Sequence, residues 1–324
     1  MFALARTLRR RGVLGLNERN AQFIQRYNER RLYPLVDNKL RTKRLAIEAD
    51  IAVPELYGVI GNQHDVRRLA DIVGDRRDFV VKPAHGTGGD GILVVTGRSA
   101  RKQQLYQLAD GDFISESEIA HHVSNIVSGQ YSFVGTRDSA MIEYRVETDP
   151  FFAPVTFQGV PDIRILVYKG YPVMAMVRLP TRRSRGKANL HQGAIGVGIA
   201  LHDGQTLNGV LGNDIVYEHP DTDEPIGGLT IPLWQECLTL AARCHELTGL
   251  GYLGADIVLD RFNGPLILEI NARPGLNIQI ANRAGLQERL SLVDAWSEEL
   301  DAAAKVRRVC EAIGPSGTTD TEET

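Results

Sequence analysis

Hydrophobic and polar residues recur along the chain with two periods, one typical of helices and the other of strands. Apolar residues at helical spacing predict helices at residues 18–32, 38–49, 64–73, 101–109, 116–127, 233–247 and 286–309. Alternating or continuous apolar runs predict strands at residues 78–83, 92–96, 140–144, 162–168, 172–179 and 196–201, and a hairpin over residues 252–260 and 265–271. Because these elements mix without a strict βαβ repeat, the predicted fold class is α+β.

The composition is that of a soluble globular protein. The chain has 324 residues, 43% of them hydrophobic, and no run approaches the ~18 apolar residues that a membrane helix needs. The N-terminus lacks the apolar core and cleavage site of a secretory signal. Three cysteines, at positions 237, 244 and 310, form an odd and sparse set that favours buried thiols over disulfides or zinc ligands. We therefore expect a cytoplasmic protein.

Charge is unevenly distributed along the chain. Residues 1–45 hold twelve Lys/Arg and three Asp/Glu, a balance of +9; the whole chain is −3, so the remainder carries −12. Residues 1–36 are predicted to be a basic helical arm, which could contact an acidic partner or an anionic membrane surface. We favour a solvated helical face packed on the acidic body. No aromatic stacking pattern accompanies the arm, so no nucleic-acid partner is expected. Residues 311–324 are predicted to be disordered.

A glycine-rich segment follows the strand predicted at residues 78–83. Lys82 lies near the end of that strand, and the segment then contains Gly86, Thr87, Gly88, Gly89 and Gly91. Glycines allow the backbone to turn its N–H groups toward an anion. The segment lacks the GK[ST] of a P-loop, and a strand-like run follows where a dinucleotide-binding fold needs a helix. On its own it fits equally a flap that closes over phosphates or an ordinary glycine-rich hairpin.

The hairpin near residue 263 is predicted to bring two carboxylates together. A two-residue Asn263–Gly264 turn would place Asp256 opposite Asn271, and a four-residue loop would place Asp256 opposite Glu269. Either register puts all three polar side chains on one sheet face. The other face is predicted to be core and carries Ala255, Ile257, Leu259, Leu266, Leu268 and Ile270.

Two carboxylates and an amide on one face suit a hard divalent cation. We predict that Asp256, Glu269 and Asn271 bind Mg²⁺, with Mn²⁺ as an alternative, and that water and nucleotide phosphate complete the coordination. The competing interpretation is a hairpin whose polar face meets solvent. Arg273, in the rigid turn that follows, would lie near a phosphate or a carboxylate substrate.

With this hairpin, Lys82 and the glycine segment, residues 37–281 resemble ATP-grasp enzymes, in particular the alpha-L-glutamate ligase-like proteins. The resemblance implies two α/β lobes with the nucleotide between them. It divides the chain into a helical part at 37–75, a small lobe with the flap at 76–144 and a large lobe with the metal site at 145–310. Fewer than forty residues precede Lys39, so we expect the full N-terminal domain of that family to be missing. Residues 145–161 are either a substrate loop or a surface excursion.

The resemblance also implies the roles of individual residues. Those expected to contact ATP are Lys39, Lys82, Gly86, Thr87, Gly88, Gly89, Glu143, Tyr144, Asp162, Lys187 and Asn189. Those expected to act on the reacting groups are Lys82, Arg164, Arg178 and Arg273. The implied cofactors are ATP and Mg²⁺.

The function implied by the resemblance is ATP-dependent ligation of a carboxylate to an amine through an acyl phosphate. The substrates would be amino acids, peptides or proteins, and the sequence leaves their identity and the oligomeric state open. Two alternatives also stay open. One is an ATP-grasp kinase that releases a phosphorylated product, and the other is an ATP-binding sensor or scaffold without activity. The intact metal positions favour an enzyme.

Overall fold

The computed structural model describes residues 2–86, 89–99, 105–132 and 135–314, and it contains two antiparallel sheets packed against helices. The predicted α+β class is confirmed. The helices are α1 (Phe2–Arg10), α2 (Leu16–Glu18), α3 (Gln25–Tyr27), α4 (Lys39–Glu48), α5 (Leu69–Val73), α6 (Glu116–Val127), α7 (Trp234–Thr248), α8 (Asn277–Ala281), α9 (Gln287–Asp294) and α10 (Ala302–Ala312). Within the four described ranges, no helix is long and apolar enough to cross a bilayer.

The small lobe is built on a six-stranded sheet. Its strands are β1 (Leu56–Ile60), β2 (Phe79–Pro83), β3 (Leu93–Arg98), β4 (Leu105–Leu108), β5 (Phe113–Ser115) and β6 (Ala140–Glu143). Their order is β1-β6-β2-β3-β4-β5, so β2 and β6, which carry Lys82 and Glu143, are neighbours. Helix α6 packs on this sheet and begins with a capping box, in which Ser115 and Glu118 bind each other's backbone N–H groups.

The large lobe is built on a seven-stranded sheet. Its strands are β7 (Asp162–Tyr168), β8 (Tyr171–Leu179), β9 (Ile195–Ile199), β10 (Thr206–Leu211), β11 (Asp214–Val216), β12 (Tyr252–Asp260) and β13 (Gly264–Asn271), in the order β11-β10-β9-β8-β7-β12-β13. Ile165 and Ala255 belong to the main hydrophobic core, which also takes in the buried residues of α7. Side chains alternate along strands, so the neighbouring Arg164 and Asp256 lie on the opposite face.

Residues 14–36 pack on the large lobe. Leu14 is fully buried there. Asn28 donates to the carbonyl oxygens of Tyr252 and Ala272 at 2.7 and 2.9 Å, and its own Oδ1 accepts from the Tyr252 N–H at 2.9 Å. This part of the basic N-terminal segment is therefore attached to the body, which agrees with the packed interpretation favoured from the sequence.

The prediction of a helix at residues 101–109 is wrong for the residues of this range that the structure describes. Residues 105–108 form strand β4, paired with β3 and β5, and residues 101–104 lie outside the described ranges. The reason is tertiary packing: the Tyr106 ring meets the Phe79 ring edge-on, 5.5 Å between centroids, in the core of the small lobe. Strand pairing and this contact outweigh the local helical spacing.

Two other predicted helices are interrupted. The closing helix predicted at residues 286–309 is split into α9 and α10, because Trp296 turns in to pack on Tyr171 at 4.9 Å and Asp301 starts α10 as its N-cap. The helix predicted at 18–32 consists of α2, a π-helical turn and α3. Helix α10 continues to Ala312, and residues 315–324 of the predicted disordered tail lie outside the described ranges. Strands β1, β5, β10 and β11 were not predicted.

Candidate nucleotide and metal site

The β12–β13 hairpin has neither of the turn lengths considered from the sequence. Asp260 pairs with Gly264, so the loop has three residues, and the positive φ of Gly264, 67°, suits a glycine. Next to Asp256 the register shifts, and Leu268 is bulged out of β13. Beyond this bulge Asp256 lies directly opposite Glu269, which is one of the two predicted registers. The predicted convergence of the two carboxylates is therefore confirmed.

The bulge changes which apolar residues reach the core. Leu266 and Leu268 were predicted on the core face, but they pack with Val258 in a small separate cluster. Ile267, predicted on the polar face, belongs to the main core. One extra residue in one strand reverses the faces on one side of it, so the predicted face of these residues is wrong.

Asp256 is surrounded by hydrogen-bond donors. Arg164 donates to Asp256 twice, from Nε to Oδ1 at 2.7 Å and from Nη2 to Oδ2 at 2.6 Å. Arg178 Nη2 and Asn271 Nδ2 also donate to Oδ2, at 2.9 and 3.3 Å. Burial opposes ionisation of this carboxyl, but the two arginines outweigh it and lower the pKa of Asp256 to about 2. Asp256 is therefore a charged carboxylate at neutral pH.

Asp162 completes this cluster. Arg178 binds it through two N–H groups, with Nη2 donating to Oδ2 at 2.5 Å. Burial raises the pKa of Asp162 to about 6, although Arg178 opposes the rise. Two arginines and two aspartates thus form a nearly buried, charge-balanced cluster. The carboxylate of Asp162, which the resemblance assigned to the ribose, is engaged by Arg178 in this structure.

A second group of charges lies in the small lobe. Lys82 Nζ lies 2.5 Å from Glu143 Oε1, and Lys43 Nζ lies 2.9 Å from Glu143 Oε2. Lys43 also donates to the carbonyl oxygen of Pro54. Burial lowers the pKa of Lys43 to about 8, partly offset by Glu143. The Glu143 side chain therefore holds two ammonium groups in place.

Sequence reasoning missed Lys43. It lies four residues after Lys39 in α4, a helix that Asn38 caps by accepting from the Arg41 N–H. Residues four apart lie on the same face of a helix, so Lys39 and Lys43 lie one above the other. This spacing is the sequence signal that could have identified Lys43.

Lys39 connects the glycine flap with the hairpin. Its backbone N–H donates to the Ala84 carbonyl oxygen at 2.8 Å, and its Nζ donates to the Gly86 carbonyl oxygen at 2.5 Å. The same Nζ lies 3.4 Å from Glu269 Oε1. The charged residues that line the cleft between the small lobe and the hairpin are Lys39, Lys43, Lys82 and Glu269.

The flap itself is described in part. Gly86 leaves no space for a side chain, and Gly89 has a φ of 83°, which favours glycine. A Cβ on Gly89 would lie 3.9 Å from Lys187 Cε, so the large lobe approaches the flap through Lys187. The predicted ligands Thr87 and Gly88 lie outside the described ranges.

The remaining predicted ATP contacts have partners within the protein. The Tyr144 hydroxyl donates to Asp260 Oδ2 at 3.0 Å, which ties the strand end after β6 to the hairpin loop. Asn189 caps a short 3₁₀ turn, and its Oδ1 accepts from the His191 N–H at 3.0 Å. Both side chains are therefore engaged within the protein in this structure.

Arg273 lies apart from the arginine–aspartate cluster. It is exposed, and its guanidinium stacks over the Tyr33 ring at 4.5 Å from the centroid. Tyr33 belongs to the 3₁₀ turn Arg30–Leu35. Arg273 is therefore held by the N-terminal segment rather than by a carboxylate of the cluster.

The side-chain oxygens of Asp256, Glu269 and Asn271 are suitable ligands for a hard divalent cation. Asn271 turns its Nδ2 toward Asp256, which leaves its Oδ1 on the other side of the amide. Glu269 is partly exposed and faces the lysine cleft. Carboxylate and amide oxygens supplemented by water are the ligands that Mg²⁺ prefers. Glu269 and Asn271 thus offer oxygens directly, whereas the Oδ2 of Asp256 can join them only by giving up a present donor.

A cavity of about 350 Å³ opens farther along the large lobe. Side chains that line it include Arg183, Leu190, His191, Asn213, Asn277 and Ile280. Val210 in its wall pairs with Gly196, and Gly196 pairs with Arg178. The cavity wall is therefore two strand spacings, about 10 Å, from the arginine cluster and on the same sheet face.

Comparison with known proteins gives the family. Curated proteins gave no match. Among solved structures, the ATP-grasp ligase PsnB with a minimal precursor is similar at 16% identity and a TM-score of 0.43, over 86% of this chain and 64% of that chain. D-alanine–D-alanine ligase from Bacillus anthracis shares 13% identity with a TM-score of 0.43, over 86% of this chain and 70% of that one. A RimK-domain ATP-grasp protein from Sphaerobacter thermophilus shares 14% with a TM-score of 0.42, over 83% and 70%.

This chain thus spans less than two thirds of the PsnB chain. A family model described as sugar-transfer associated ATP-grasp matches residues 18–295, most of the sequence. The chain therefore belongs to the sugar-transfer-associated ATP-grasp family, which confirms the predicted fold and the predicted use of ATP.

Proposed function

We propose that the protein is an ATP- and Mg²⁺-dependent ligase that joins a carboxylate to an amine through an acyl phosphate. The observation that carries this proposal is that the lysine cleft and the arginine–aspartate cluster meet at one strand pair. Glu269 lines the lysine cleft, and across the strands it pairs with Asp256, the centre of the arginine cluster. A phosphate site at the lysines and a carboxylate site at the arginines would therefore share one hairpin, as phosphoryl transfer to a carboxylate requires.

The lysines supply the charge that the phosphates need. Lys39, Lys43 and Lys82 place three ammonium groups around the cleft, and Glu143 fixes two of them by ion pairs. Mg²⁺, held by Glu269 and Asn271 with Asp256, would neutralise charge that develops on the transferred phosphoryl group. The lysines would stabilise the phosphate charge without moving, because charges that are already in place need no rearrangement during the reaction.

The arginines and the flap would handle the acyl phosphate. Arg164 and Arg178 are the cations on the large-lobe face that could orient the acid and stabilise the oxyanion formed when the amine attacks. Water must be excluded because it would hydrolyse the acyl phosphate. The glycine flap, anchored to α4 through Lys39, is positioned to close over the cleft.

The cavity beyond Gly196 is the candidate site for the second substrate. Arg183 lines it, and among the described residues Arg183 makes no ion pair, whereas the adjacent Arg182 lies 3.5 Å from Asp221. Leu190 and Ile280 supply apolar surface. An amine that also carries an anionic group, such as an amino acid or the end of a peptide, matches this lining.

The test is an activity screen with a general trap. The protein is incubated with Mg·ATP, hydroxylamine and a panel of acids (the twenty L-amino acids, glucuronate and galacturonate), and ADP and hydroxamate are measured. We expect acid-dependent ADP release together with hydroxamate. Glu269→Ala and Asn271→Ala should each lower both by at least 100-fold, whereas Glu298→Ala, at a surface pair with Arg308, should not.

Other outcomes separate the alternatives. A stable phosphorylated acid without hydroxamate would identify a kinase. Tight ATP binding without turnover across the panel would identify a sensor or scaffold. Full turnover in either metal-site variant would contradict the assigned metal site.

A further inference from the structure

The described glycine flap is held by a histidine at each end. At its far end, His122 of α6 donates from Nε2 to the Gly91 carbonyl oxygen at 2.9 Å, and Tyr131 packs beneath Gly91. At its near end is His85, between the strand that carries Lys82 and the first flap glycine. The two histidines have different partners: His122 binds a neutral backbone carbonyl, whereas His85 binds a carboxylate.

His85 is bound by a buried carboxylate. Asp138, whose side chain is 1% exposed, accepts from the His85 backbone N–H at 3.0 Å and lies 2.7 Å from its ring Nδ1. The Ser139 N–H also donates to Asp138, at 2.7 Å. Within the described residues, no lysine or arginine forms an ion pair with this carboxylate. The charge of Asp138 is therefore directed at one imidazole ring.

This contact determines which ring nitrogen is basic. A carboxylate accepts only, so the proton of neutral His85 is on Nδ1 and the lone pair is on Nε2. Nε2 lies 3.0 Å from Nδ2 of Asn38, a partly exposed residue whose amide donates to it. The His85 side chain is 48% exposed. A substrate ammonium can therefore replace Asn38 as the donor, and Asp138 would stabilise the imidazolium that results.

The backbone around His85 is attached to Lys39, a residue that lines the cleft. Lys39 binds the carbonyl oxygens of Ala84 and Gly86, the residues on either side of His85, and the Lys39 ammonium is 3.4 Å from Glu269. Asp138 and Lys39 are the charged groups that flank His85. A base at this position would be near the bound acyl phosphate, whose acyl carbon the amine attacks.

We propose that His85, oriented by Asp138, takes the proton from the incoming amine in the amide-forming step; this rests on the ligase function proposed above. The amine arrives as an ammonium ion and transfers one proton to Nε2. Its lone pair then forms the C–N bond to the acyl carbon, and the C–O bond to phosphate breaks. The second proton passes from nitrogen to the departing phosphate, and His85 later releases its proton to water.

Comparing hydroxylamine with an amino acid as the nucleophile distinguishes a base role of His85 from a structural role. Hydroxylamine is mostly unprotonated near neutral pH and needs no base, whereas an amino acid is an ammonium ion. In His85→Asn the amide nitrogen can take the place of Nδ1 and keep the contact with Asp138, but the variant has no Nε2. We expect amide formation with L-amino acids to fall at least 100-fold, and hydroxamate formation to stay within threefold of the wild type.

The controls use the same flap. Asp138→Asn should show the same selective loss, although smaller, because it alters the orientation of the ring and not the base itself. His122→Gln should change amide and hydroxamate formation together. Added imidazole should restore amide formation in His85→Ala. A parallel loss of both products in His85→Asn, or no loss of either, would overturn the proposal.

A second measurement does not depend on substrate. Nitrogen-resolved NMR of the imidazole rings should show the His85 proton on Nδ1 in the wild type, and Asp138→Asn should shift that signal. A proton on Nε2 would overturn the proposal. If the wild type forms neither hydroxamate nor amide, the proposed ligase function is wrong. If the wild type forms both but His85→Asn shows no selective loss, only the proposed role of His85 is wrong.

Discussion

Three of the four hydrogen bonds to Asp256 converge on Oδ2, and among the described residues Oδ1 accepts from Arg164 alone. Arg164 takes one direction on each oxygen, and Arg178 and Asn271 share the rest of Oδ2. Arg178 also holds Asp162, so it keeps a partner if it releases Asp256. A cation that binds Asp256 Oδ2 would therefore compete most directly with Arg178.

This competition predicts the effect of removing the arginine. Arg178→Met should tighten Mn²⁺ binding about tenfold, ~1.4 kcal/mol, because a competing positive charge is gone. Turnover should fall at least 100-fold, since the cation that faces the substrate is lost. Mn²⁺ affinity is measured by EPR titration. Arg289→Met, at a partly buried arginine that donates to the Val173 carbonyl oxygen, is the control and should leave Mn²⁺ affinity unchanged. Weaker Mn²⁺ binding in Arg178→Met would show that the arginine positions Asp256 for the metal.

Lys43 predicts a pH dependence of ATP binding. Burial lowers its pKa to about 8, so the folded protein loses this cation as the pH rises through that value. ATP affinity should fall about tenfold between roughly pH 7 and 9, because one phosphate-facing charge disappears. Lys43→Arg keeps its charge and should show a flat profile in the same calorimetric titration. Equal falls in both proteins would exclude Lys43 as the titrating group.

The same residue predicts a stability effect with a defined sign. An unfolded lysine titrates near ~10.4, so between about pH 8 and 10.4 the unfolded chain binds more protons than the folded one. The burial of Lys43 therefore costs stability in full below pH 8, and the cost fades as the pH rises to 10.4. Relative to Lys43→Met, the wild type should gain free energy of unfolding over this interval.

At the scale of elements, two glycines of β9 set the position of α8. Gly196 and Gly198 lie on the same sheet face as the arginine cluster. A Cβ on Gly198 would lie 2.7 Å from the Ala281 carbonyl oxygen and 2.9 Å from the Asn282 Cα. Both of those atoms are backbone, so neither can rotate away. The close approach of β9 and α8 therefore requires glycine.

Gly198→Ala should push α8 outward. We expect a loss of about 2–3 kcal/mol in the free energy of unfolding, as for overpacking elsewhere in proteins. Weaker binding of the amine substrate should accompany it, since α8 forms one wall of the cavity. Urea denaturation measures the first effect and the KM for the amine the second. Gly275→Ala, with nothing within 4 Å of its Cβ and close to α8 in sequence, is the matched control. Equal stability of the two variants would contradict the tight packing.

The elements also show what sequence patterns can and cannot predict. The period-two alternation around Asp256 and Glu269 identified the hairpin and the face of its polar groups, because strand geometry alone determines that face. The bulge at Leu268 could not be read from the Asn–Gly turn signal, since it depends on pairing with β12 and on packing against Val258. Strand β4 was missed because its Tyr106 is fixed by a ring distant in sequence.

At the scale of the whole molecule, some basic residues of positions 1–45 belong to the candidate site or pack next to it. Lys39 and Lys43 line the lysine cleft, and Arg19 is nearly buried and donates to the Pro274 carbonyl oxygen at 2.7 Å. That carbonyl lies in the turn that follows Asn271. The charge excess that suggested an external partner therefore includes residues with internal roles.

Asn28 provides the sharpest test of this integration. Its side chain satisfies three backbone groups, the N–H and carbonyl of Tyr252 at the start of β12 and the carbonyl of Ala272 just after Asn271. Asn28→Ala would leave these buried groups without partners, at a cost of about 2–4 kcal/mol in the free energy of unfolding. Because Ala272 directly follows Asn271, a proposed metal ligand, we also expect Mn²⁺ affinity to fall by about threefold to tenfold.

Urea denaturation and Mn²⁺ titration measure both effects on one preparation. Asn62→Ala, which removes an exposed cap from the 3₁₀ turn Gln63–Arg68 in the small lobe, should cost about 1 kcal/mol or less and leave Mn²⁺ affinity unchanged. If Asn28→Ala matched Asn62→Ala in both measurements, residues 14–36 would be a dispensable cover. A larger loss confined to Asn28→Ala would mean that the N-terminal segment holds the strand ends from which the metal site is built.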